Sequence, residues 1–353
     1  MPSNALDYIT IKGFKSIASI EKLKLGPINV LIGANGSGKS NFLDAFRLLQ
    51  HIGEGRLSNY VGTAGGAEKI LHFGSKTTPV LTIHLSFLGN GSSYDAELMP
   101  TGDDGLYKSS QGVGGSRGPL DTSRKDAALT AVDHWTRNAF AGWRVYHLHD
   151  TSRMRITASV PDNRFLRDNG SNLAALLYYL REKHSDSYNL IRGTVQSAAP
   201  FFDDFRLEPE KLNPDTIRLE WKHRISDQYF GASSLSDGTL RFVALAVLFL
   251  QPVDHRPPVI LVDEPELGLH PYAIGLLASL IRHASVDNQV IVSTQSSSLV
   301  DYFQPDEVLV ADRVDRGTQI THLDSARLDK WLEDYSLGQL WEKSELGGCP
   351  VRS

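Results

Sequence analysis

The chain has 353 residues, of which 41% are hydrophobic and 22% are charged, and its formal net charge is −5. These proportions are those of an ordinary globular protein with ample core, and the acidic balance argues against a protein that coats nucleic acid over its whole surface. The longest apolar run, residues 242–250, is far too short to span a bilayer. With one cysteine and no apolar signal at the N-terminus, we expect a cytoplasmic protein that acts away from membranes.

The first part of the chain alternates apolar and polar residues in several places, a pattern typical of half-buried strands. Strands are predicted at 8–17, 23–32, 80–88 and 94–99. Residues 53–66 and 109–118 are instead dotted with glycine, and both are predicted to be loops, the second of them mobile.

The second part of the chain is predicted to contain one strand, then two helices, and then an α/β core. Residues 172–182 have a continuous apolar helical face, and 188–199 predict a second helix that ends at Pro200. Residues 143–148 predict a strand. From Ser234 onward, helices alternate with buried strands, and this alternation indicates a parallel α/β core.

The strongest motif is residues 33–40, Gly-Ala-Asn-Gly-Ser-Gly-Lys-Ser, which fits the phosphate-binding loop of nucleotide triphosphatases. A buried strand precedes it and an amphipathic helix follows it, as this chemistry requires. We expect Lys39 to reach the β- and γ-phosphates of ATP and the Ser40 hydroxyl to ligate Mg²⁺. The predicted nucleotide contacts are Gly33, Asn35, Gly36, Ser37, Gly38, Lys39, Ser40 and Asn41.

The second motif is residues 258–266, Pro-Val-Ile-Leu-Val-Asp-Glu-Pro-Glu, a buried strand whose carboxyl end carries two adjacent acids. Ligands of open α/β sheets lie at the carboxyl ends of the strands, so both acids are expected beside the nucleotide. We expect Asp263 to hold Mg²⁺, directly or through a water, and Glu264 to orient and deprotonate the attacking water.

Three further segments add polar groups to this set. Ser236 and Gly238 stand at the start of a long apolar helix, where a hydroxyl and an amide form a second anion site. Residues 268–271, Gly-Leu-His-Pro, predict a tight turn into another helix. Residues 290–296 predict a buried strand that ends in polar residues, Gln295 among them.

In this order, the phosphate loop, Leu-Ser-Asp-Gly, Asp-Glu-Pro-Glu, Gly-Leu-His-Pro and Ser-Thr-Gln-Ser resemble the motifs of an ABC-type ATPase head. The subgroup that the chain resembles is that of stand-alone AAA-family ATPases related to RecF, SMC and OLD proteins. Residues 9–17 and 331–343 are also similar to the opening and closing segments of such proteins. The resemblance implies an α/β fold, an ABC-type P-loop NTPase head with an N-terminal β subdomain and a helical insertion.

The same resemblance implies a homodimer in which two heads sandwich two ATP molecules with Mg²⁺. Ser236 and Gly238 of one subunit would then contact the γ-phosphate held by its partner, and His270 would lie at the interface. Phe14 and Lys15 would lie near the nucleotide's base or phosphates.

Two positions depart from the pattern of the relatives. The signature at residues 236–239 reads Ser-Asp-Gly-Thr rather than the transporter-style Ser-Gly-Gly-Gln. Gln295 stands where many of them carry a histidine that senses the γ-phosphate. The loop glutamine that ligates Mg²⁺ in many such heads has no clear counterpart, although the region of His149 and Asp150 lies where that residue is expected.

The resemblance implies a single head over the whole chain. It would comprise an N-terminal lobe (1–110), an insertion (111–230), a C-terminal lobe (231–325) and a tail (326–353). The implied function is an ATP-hydrolysing switch that acts on DNA or on a nuclease partner in phage defence or DNA repair.

Two alternatives are less well supported. The nucleotide-binding subunit of an ABC transporter is disfavoured because the insertion between Ser40 and Ser234 is larger than a transporter head usually has. A self-contained OLD-type nuclease is disfavoured because only about sixty residues follow Gln295, too few for a Toprim-like domain.

The remaining charged residues and histidines are less informative. A group of arginines is a candidate for binding a DNA backbone, and a solvated surface accounts for it equally well. These residues are Arg153, Arg155, Arg164 and Arg167. The single histidines have no metal-ligand spacing and are expected to fill core or surface positions. They are His51, His72, His84, His147 and His283.

Overall fold

The structure is a computed structural model that describes residues 5–88, 91–113, 116–119, 137, 139–140, 142–315 and 317–348. Two six-stranded sheets and two three-stranded sheets form its framework. The strands are β1 Leu6–Phe14, β2 Ile17–Lys24, β3 Ile28–Ile32, β4 Leu81–Phe87, β5 Ser93–Pro100, β6 Leu106–Val113, β7 Ser116–Pro119, β8 Arg144–Tyr146, β9 Ala158–Ser159, β10 Phe202–Arg206, β11 Pro209–Glu210, β12 Asn213–Ile217, β13 Glu220–His223, β14 Tyr229–Gly231, β15 Val259–Asp263, β16 Gln289–Ser293, β17 Val308–Val314 and β18 Gly317–His322. The α-helices are α1 Lys39–Gly53, α2 Leu57–Ala64, α3 Ala67–Ile70, α4 Leu173–Lys183, α5 Ser185–Ala198, α6 Asp237–Leu250, α7 Pro271–Ala284, α8 Ser297–Val300, α9 Ser325–Leu328 and α10 Leu337–Glu342.

The central sheet has the strand order β18-β17-β3-β16-β15-β8. All its neighbours pair in parallel except β17 and β18, which form an antiparallel edge. Every residue of β3, β15 and β16 is buried, as the near-continuous apolar runs of parallel strands predict. Because parallel strands end at the same edge, the loops that follow β3, β15, β16 and β8 meet there.

Successive residues of the central strands alternate between two hydrophobic cores. On β15, Ile260 and Val262 belong to one core, and Val259 and Leu261 belong to the other. The second core also contains α1 and the inner face of the antiparallel sheet β2-β1-β4-β5-β6-β7. Helix α1 therefore lies between the two sheets. The first core contains α4 to α7 on the opposite face of the central sheet.

Both glycine-dotted loop predictions are wrong for the residues that the structure describes. Residues 53–66 contain α2, because Tyr60 and Val61 bury their side chains and the Tyr60 hydroxyl donates to Asp44 at 2.6 Å. Within 109–118, β6 and β7 complete the antiparallel sheet, and residues 114–115 lie outside the description. In each case pairing or burial elsewhere in the fold overrides the local glycine content.

The long apolar run occupies most of α6, whose residues 240–250 are all buried. No helix in the described part of the chain has the length and apolar character needed to cross a membrane. The predicted lobes are interwoven in this fold. The boundary at residue 110 falls within β6, and β8, from the predicted insertion, forms an edge of the central sheet.

Candidate nucleotide and magnesium site

The phosphate loop joins β3 to α1 and is shaped by the antiparallel edge of the central sheet. Gly38 has φ 106°, and a Cβ there would lie only 2.0 Å from the Thr318 hydroxyl. That hydroxyl donates to the carbonyl of Ser37 at 2.9 Å and lies 2.8 Å from the Ser16 hydroxyl. Buried Thr318 on β18 is therefore part of the loop's support, although it lies outside every sequence motif of the site.

Lys39 folds back onto the loop that it follows. Its Nζ donates to the carbonyl oxygens of Gly33 at 2.6 Å and Ala34 at 3.0 Å. Burial lowers the pKa of the Lys39 ammonium, while nearby carboxylates, Glu264 foremost, oppose that shift. A phosphate in the loop would replace these carbonyl acceptors with charged oxygens, which make stronger hydrogen bonds.

Asp263 ends β15 beside the first turn of α1. Its Oδ2 lies 3.4 Å from the Ser40 hydroxyl and 3.2 Å from Nδ1 of His147, and its Oδ1 accepts a hydrogen bond from Ser293. Burial alone would raise the pKa of Asp263, but the hydrogen bonds from His147 and Ser293 hold it below its ordinary value. The carboxylate is thus kept ionised, the form that binds a cation.

The hydroxyl of Ser40 and the carboxylate of Asp263 fit the predicted magnesium site. Both are hard oxygen donors, and Mg²⁺ is usually held by one or two protein ligands together with substrate phosphates and waters. The described residues contain no group of three or more His, Cys, Asp or Glu arranged to hold a metal by themselves.

Glu264 has an unusual backbone conformation for a residue with a side chain. Its φ is 44°, in the left-handed region, and its amide donates to the Ser293 carbonyl at 2.9 Å. The carboxylate accepts a hydrogen bond from the side-chain amide of Gln295 and lies 4.0 Å from Nε2 of His149. Strain of this kind is typical of functional positions.

Two histidines complete this edge of the sheet. His147 and His149 follow β8, the parallel neighbour of β15. His149 Nε2 lies 3.1 Å from the backbone oxygen of Asp263. His147 was predicted to be a filler residue but contacts the Asp263 carboxylate at 3.2 Å, and a His-x-His pair at the carboxyl end of a predicted strand was the signal that could have revealed it.

Glu266, two residues after Glu264, is a further buried acid. It is only 8% exposed. Its Oε1 accepts from the Thr294 hydroxyl at 2.6 Å and from the backbone N–H of Gln295 at 3.1 Å. Its Oε2 is buried and has no hydrogen-bond partner among the described residues. Burial raises the pKa of Glu266, which favours a neutral carboxyl at this position.

Ser236, Gly238 and His270 line one cavity, whose volume is about 130 Å³. Ser236 caps α6 by accepting from the Thr239 amide at 3.1 Å, and Nδ1 of His270 accepts from Tyr272 at the start of α7. A Cβ on Gly238 would lie 2.2 Å from the Gly268 carbonyl, so only glycine permits this approach of α6 to the turn.

The phosphate loop lines a different cavity. Gly33, Ala34 and Asn35 surround a space of about 380 Å³ together with Gln295, Trp341 and others, and none of the Ser236 group belongs to it. Within one chain, the phosphate loop and the Leu-Ser-Asp-Gly segment therefore present separate surfaces. Asn35 and Gln295 are both exposed on the surface that the phosphate loop presents.

Arg155 is tied to the Leu-Ser-Asp-Gly segment. Its guanidinium donates to the Leu235 carbonyl at 3.1 Å and to the Asp237 carboxylate at 2.6 Å. This engagement argues against its predicted role as a DNA-backbone contact. Arg167 pairs with Asp162 at 3.0 Å, whereas Arg153 and Arg164 are exposed.

Arg241 on α6 links that segment to the catalytic edge. Its buried guanidinium donates to the carbonyl oxygens of Leu148 at 2.9 Å and His149 at 3.0 Å, and also to that of Leu267. One side chain therefore joins α6 to the histidine segment and to the turn after Glu264.

Phe14 and Lys15 are both engaged within the chain. The Phe14 ring is fully buried in the core and is not accessible to a nucleotide base. Lys15 forms an ion pair with Asp44 on α1. Asn41 donates to the Ser16 hydroxyl at 2.7 Å, so it supports the loop from its helical side.

Comparison with known proteins gives an independent account of this arrangement. The family described as "AAA domain, putative AbiEii toxin, Type IV TA system" matches residues 28–104 and 119–301. These ranges contain the phosphate loop, the Leu-Ser-Asp-Gly segment, both acids and Gln295.

Two curated proteins match shorter stretches. Urease accessory protein 2 of Cryptococcus neoformans var. grubii is 28% identical over 164 residues, which are 45% of this chain and 13% of that protein. The chromosome partition protein Smc of Desulfitobacterium hafniense is 49% identical over 59 residues, 16% of this chain and 5% of that protein. The chain thus spans only a small part of the length of either relative.

The fold is that of SMC head domains. The SMC head bound to the C-winged helix domain of ScpA has a TM-score of 0.67 and 17% identity, over 92% of this chain and 99% of that one. The Smc head with an extended coiled coil, bound to the C-terminal domain of ScpA derived from Pyrococcus furiosus, has a TM-score of 0.64 and 15% identity, over 94% and 99%. The predicted ABC-type head is confirmed.

Proposed function

The chain belongs to this AAA-domain family of nucleotide-binding ATPases, and we propose that it hydrolyses ATP to ADP and phosphate with Mg²⁺. The observation that carries the proposal is the position of Ser40 and Asp263, whose oxygens lie 3.4 Å apart. The buried ammonium of Lys39 and the carboxylate of Glu264 flank this pair, each from the motif position that its role requires.

Each residue then has a distinct task. Lys39 exchanges the carbonyls of Gly33 and Ala34 for phosphate oxygens. Ser40 and Asp263 would hold Mg²⁺, which would supply positive charge beside the transferred phosphoryl group. Glu264 takes the proton of the attacking water. Gln295, which bonds to the Glu264 carboxylate, releases that acid when the γ-phosphate arrives.

We further propose that the active form is a homodimer with two composite sites. Support comes from the separation of the two anion-binding surfaces, because Ser236 and Gly238 line a cavity that the phosphate loop does not share. In a two-fold dimer, each surface of one subunit faces the complementary surface of the other.

The biological role that we propose is a cytoplasmic switch that acts on DNA or on a nuclease partner, in phage defence or DNA repair. The family description names a toxin, and the SMC relative takes its name from chromosome partition. Both names are compatible with such a role.

Phosphate release by the purified full chain tests the proposed activity. Turnover should require Mg²⁺ and should be lost in Lys39→Ala, which lacks the phosphate contact. Lys12→Ala is the matched control, because Lys12 forms an exposed ion pair with Glu21 and such pairs contribute little. Equal turnover in Lys39→Ala and Lys12→Ala would refute the proposal.

A further inference from the structure

A cavity of about 560 Å³ lies at the end of the central sheet opposite the nucleotide site. Arg144 begins β8 there, and Pro257 and Pro258 lead into β15, the strand that delivers Asp263 at its other end. With about 3.3 Å per residue, the five residues of β15 separate the two locations by roughly 16 Å. The cavity is therefore distinct from the ATP site.

Arg144 is the most informative residue in this cavity. Its guanidinium stacks on the Phe165 ring with its carbon 3.7 Å from the ring centroid, and the side chain is partly buried. Burial lowers the pKa of Arg144. The carboxylates of Glu54 and Asp168 act on Arg144 electrostatically and oppose this shift, but among the described residues no carboxylate forms an ion pair with it.

Two more guanidinium groups line the same space. Arg164 is exposed, and Arg256 is held in place by donating to the Gln251 carbonyl at 2.9 Å and to Asn288 at 3.3 Å. The packing that fixes Arg256 and Arg144 limits the side-chain entropy that binding would remove.

Two acids, Glu54 and Asp254, share the lining with these cations. Glu54 is already engaged, since one of its oxygens accepts from Gln50 at 3.0 Å and the other pairs with Arg56. Asp254, the other acid in the lining, is exposed to solvent. The described lining therefore has three guanidinium groups against two carboxylates, an excess of positive charge in a protein whose net charge is negative.

We propose that this cavity binds a phosphate-bearing ligand through Arg144, Arg164 and Arg256. Guanidinium groups match phosphate oxygens with paired hydrogen bonds, and several of them around one group favour an anion with more than one charge. The volume fits a ligand larger than a single ion. A free pyrophosphate-containing compound and a nucleic-acid backbone both present this chemistry.

The test uses the full chain carrying Lys39→Ala, which disables the phosphate loop, without Mg²⁺. Inorganic pyrophosphate is titrated by calorimetry, and a short fluorescent DNA duplex is titrated by anisotropy. Arg144→Gln should weaken binding about tenfold or more, because a charge-assisted hydrogen bond is lost at a partly buried site. Arg164→Gln, at an exposed position that tolerates change, should also weaken binding.

Arg327→Gln is the matched control, because Arg327 is exposed and pairs only with Asp324 within its own turn. Binding of pyrophosphate alone would identify a small phosphate compound, and binding of the duplex would identify nucleic acid. Absence of binding to both probes, or equal binding by Arg164→Gln and Arg327→Gln, would overturn the proposal even if Arg144→Gln fails to fold. Because this site is independent of ATP turnover, such a failure would leave the proposed ATPase activity standing.

Discussion

Nδ1 of His147 lies 3.2 Å from Oδ2 of Asp263, on the side of the carboxylate that also faces the Ser40 hydroxyl. Ser293 holds the other carboxylate oxygen. Asp263 is therefore fixed from both sides before a metal binds. Groups that orient metal-binding carboxylates tune metal affinity, so we expect His147 to be a positioning residue for the proposed magnesium site.

His147→Ala should raise the Mg²⁺ concentration that gives half-maximal ATPase activity by about 10- to 100-fold, the usual effect of losing such an orienting group. Turnover at saturating Mg²⁺ should fall much less. A magnesium titration of steady-state phosphate release measures both quantities.

The matched control is His283→Ala, because His283 is exposed on α7. If His147→Ala shows the same half-saturating magnesium concentration as His283→Ala, then His147 does not position the site.

Glu264→Gln should bind ATP but hydrolyse it about 100- to 10,000-fold more slowly, because the attacking water loses its base while Asp263 and Ser40 remain. ATP should then accumulate a dimer that light scattering detects. A variant with wild-type turnover would remove Glu264 from its catalytic role, and a monomer at saturating ATP would argue against the two-head sandwich.

Glu266→Gln should stabilise the protein at neutral pH. In the unfolded chain this carboxyl ionises above its ordinary pKa of 4.5, whereas burial raises the pKa in the folded protein. Stability therefore falls as the pH rises between the two values, because folding must return a proton to Glu266. An amide keeps the acceptor for Thr294 and carries no charge.

The melting temperature of Glu266→Gln should exceed that of the wild type by roughly 1–3 °C at neutral pH. The difference should shrink near pH 4.5, where the unfolded carboxyl is itself half protonated. A difference that stays constant with pH would show that ionisation of Glu266 does not contribute.

Thr318→Val should weaken ATP binding about fivefold, since the phosphate loop loses the hydroxyl that bonds to Ser37 and Ser16. Thr321→Val is a close control, because Thr321 is an exposed threonine on the same strand. Binding of a fluorescent ATP analogue compares them. Equal affinities would show that the Thr318 hydroxyl does not support the loop.

The parts of the site that were predictable lie within short sequence windows. The phosphate loop is flanked directly by its strand and helix, and Asp263 and Glu264 end a strand of uninterrupted apolar residues. Such features depend on local backbone geometry, which a single sequence encodes well.

The missed parts depend on contacts between distant residues. Thr318 reaches the phosphate loop across 281 positions, and the pairing of β17 with β3 that brings it there has no local signature. His147 reaches Asp263 only because β8 joins the edge of the sheet beside β15. The burial of Phe14 in the second core likewise follows from tertiary packing.

The composite site is tested by combining two lesions in one dimer. If each nucleotide is held by Lys39 of one chain and Ser236 of the other, Lys39→Ala and Ser236→Arg each disable both sites of a homodimer. A mixed dimer concentrates both lesions in one site and leaves the other site wild type. Random mixing makes about half of the dimers mixed, so activity should recover to roughly a quarter of the wild-type value.

Formation of the mixed dimer is established first, with two different affinity tags. The mixed dimer could form and bind ATP yet stay as inactive as the two single-variant homodimers. In that case either the two sites must act together, or each nucleotide site is formed by one chain alone. A photoreactive ATP analogue separates these cases, because it labels the region of Ser236 on the opposite subunit only if the site is composite. Labelling confined to the subunit whose Lys39 binds the analogue would end the two-head model.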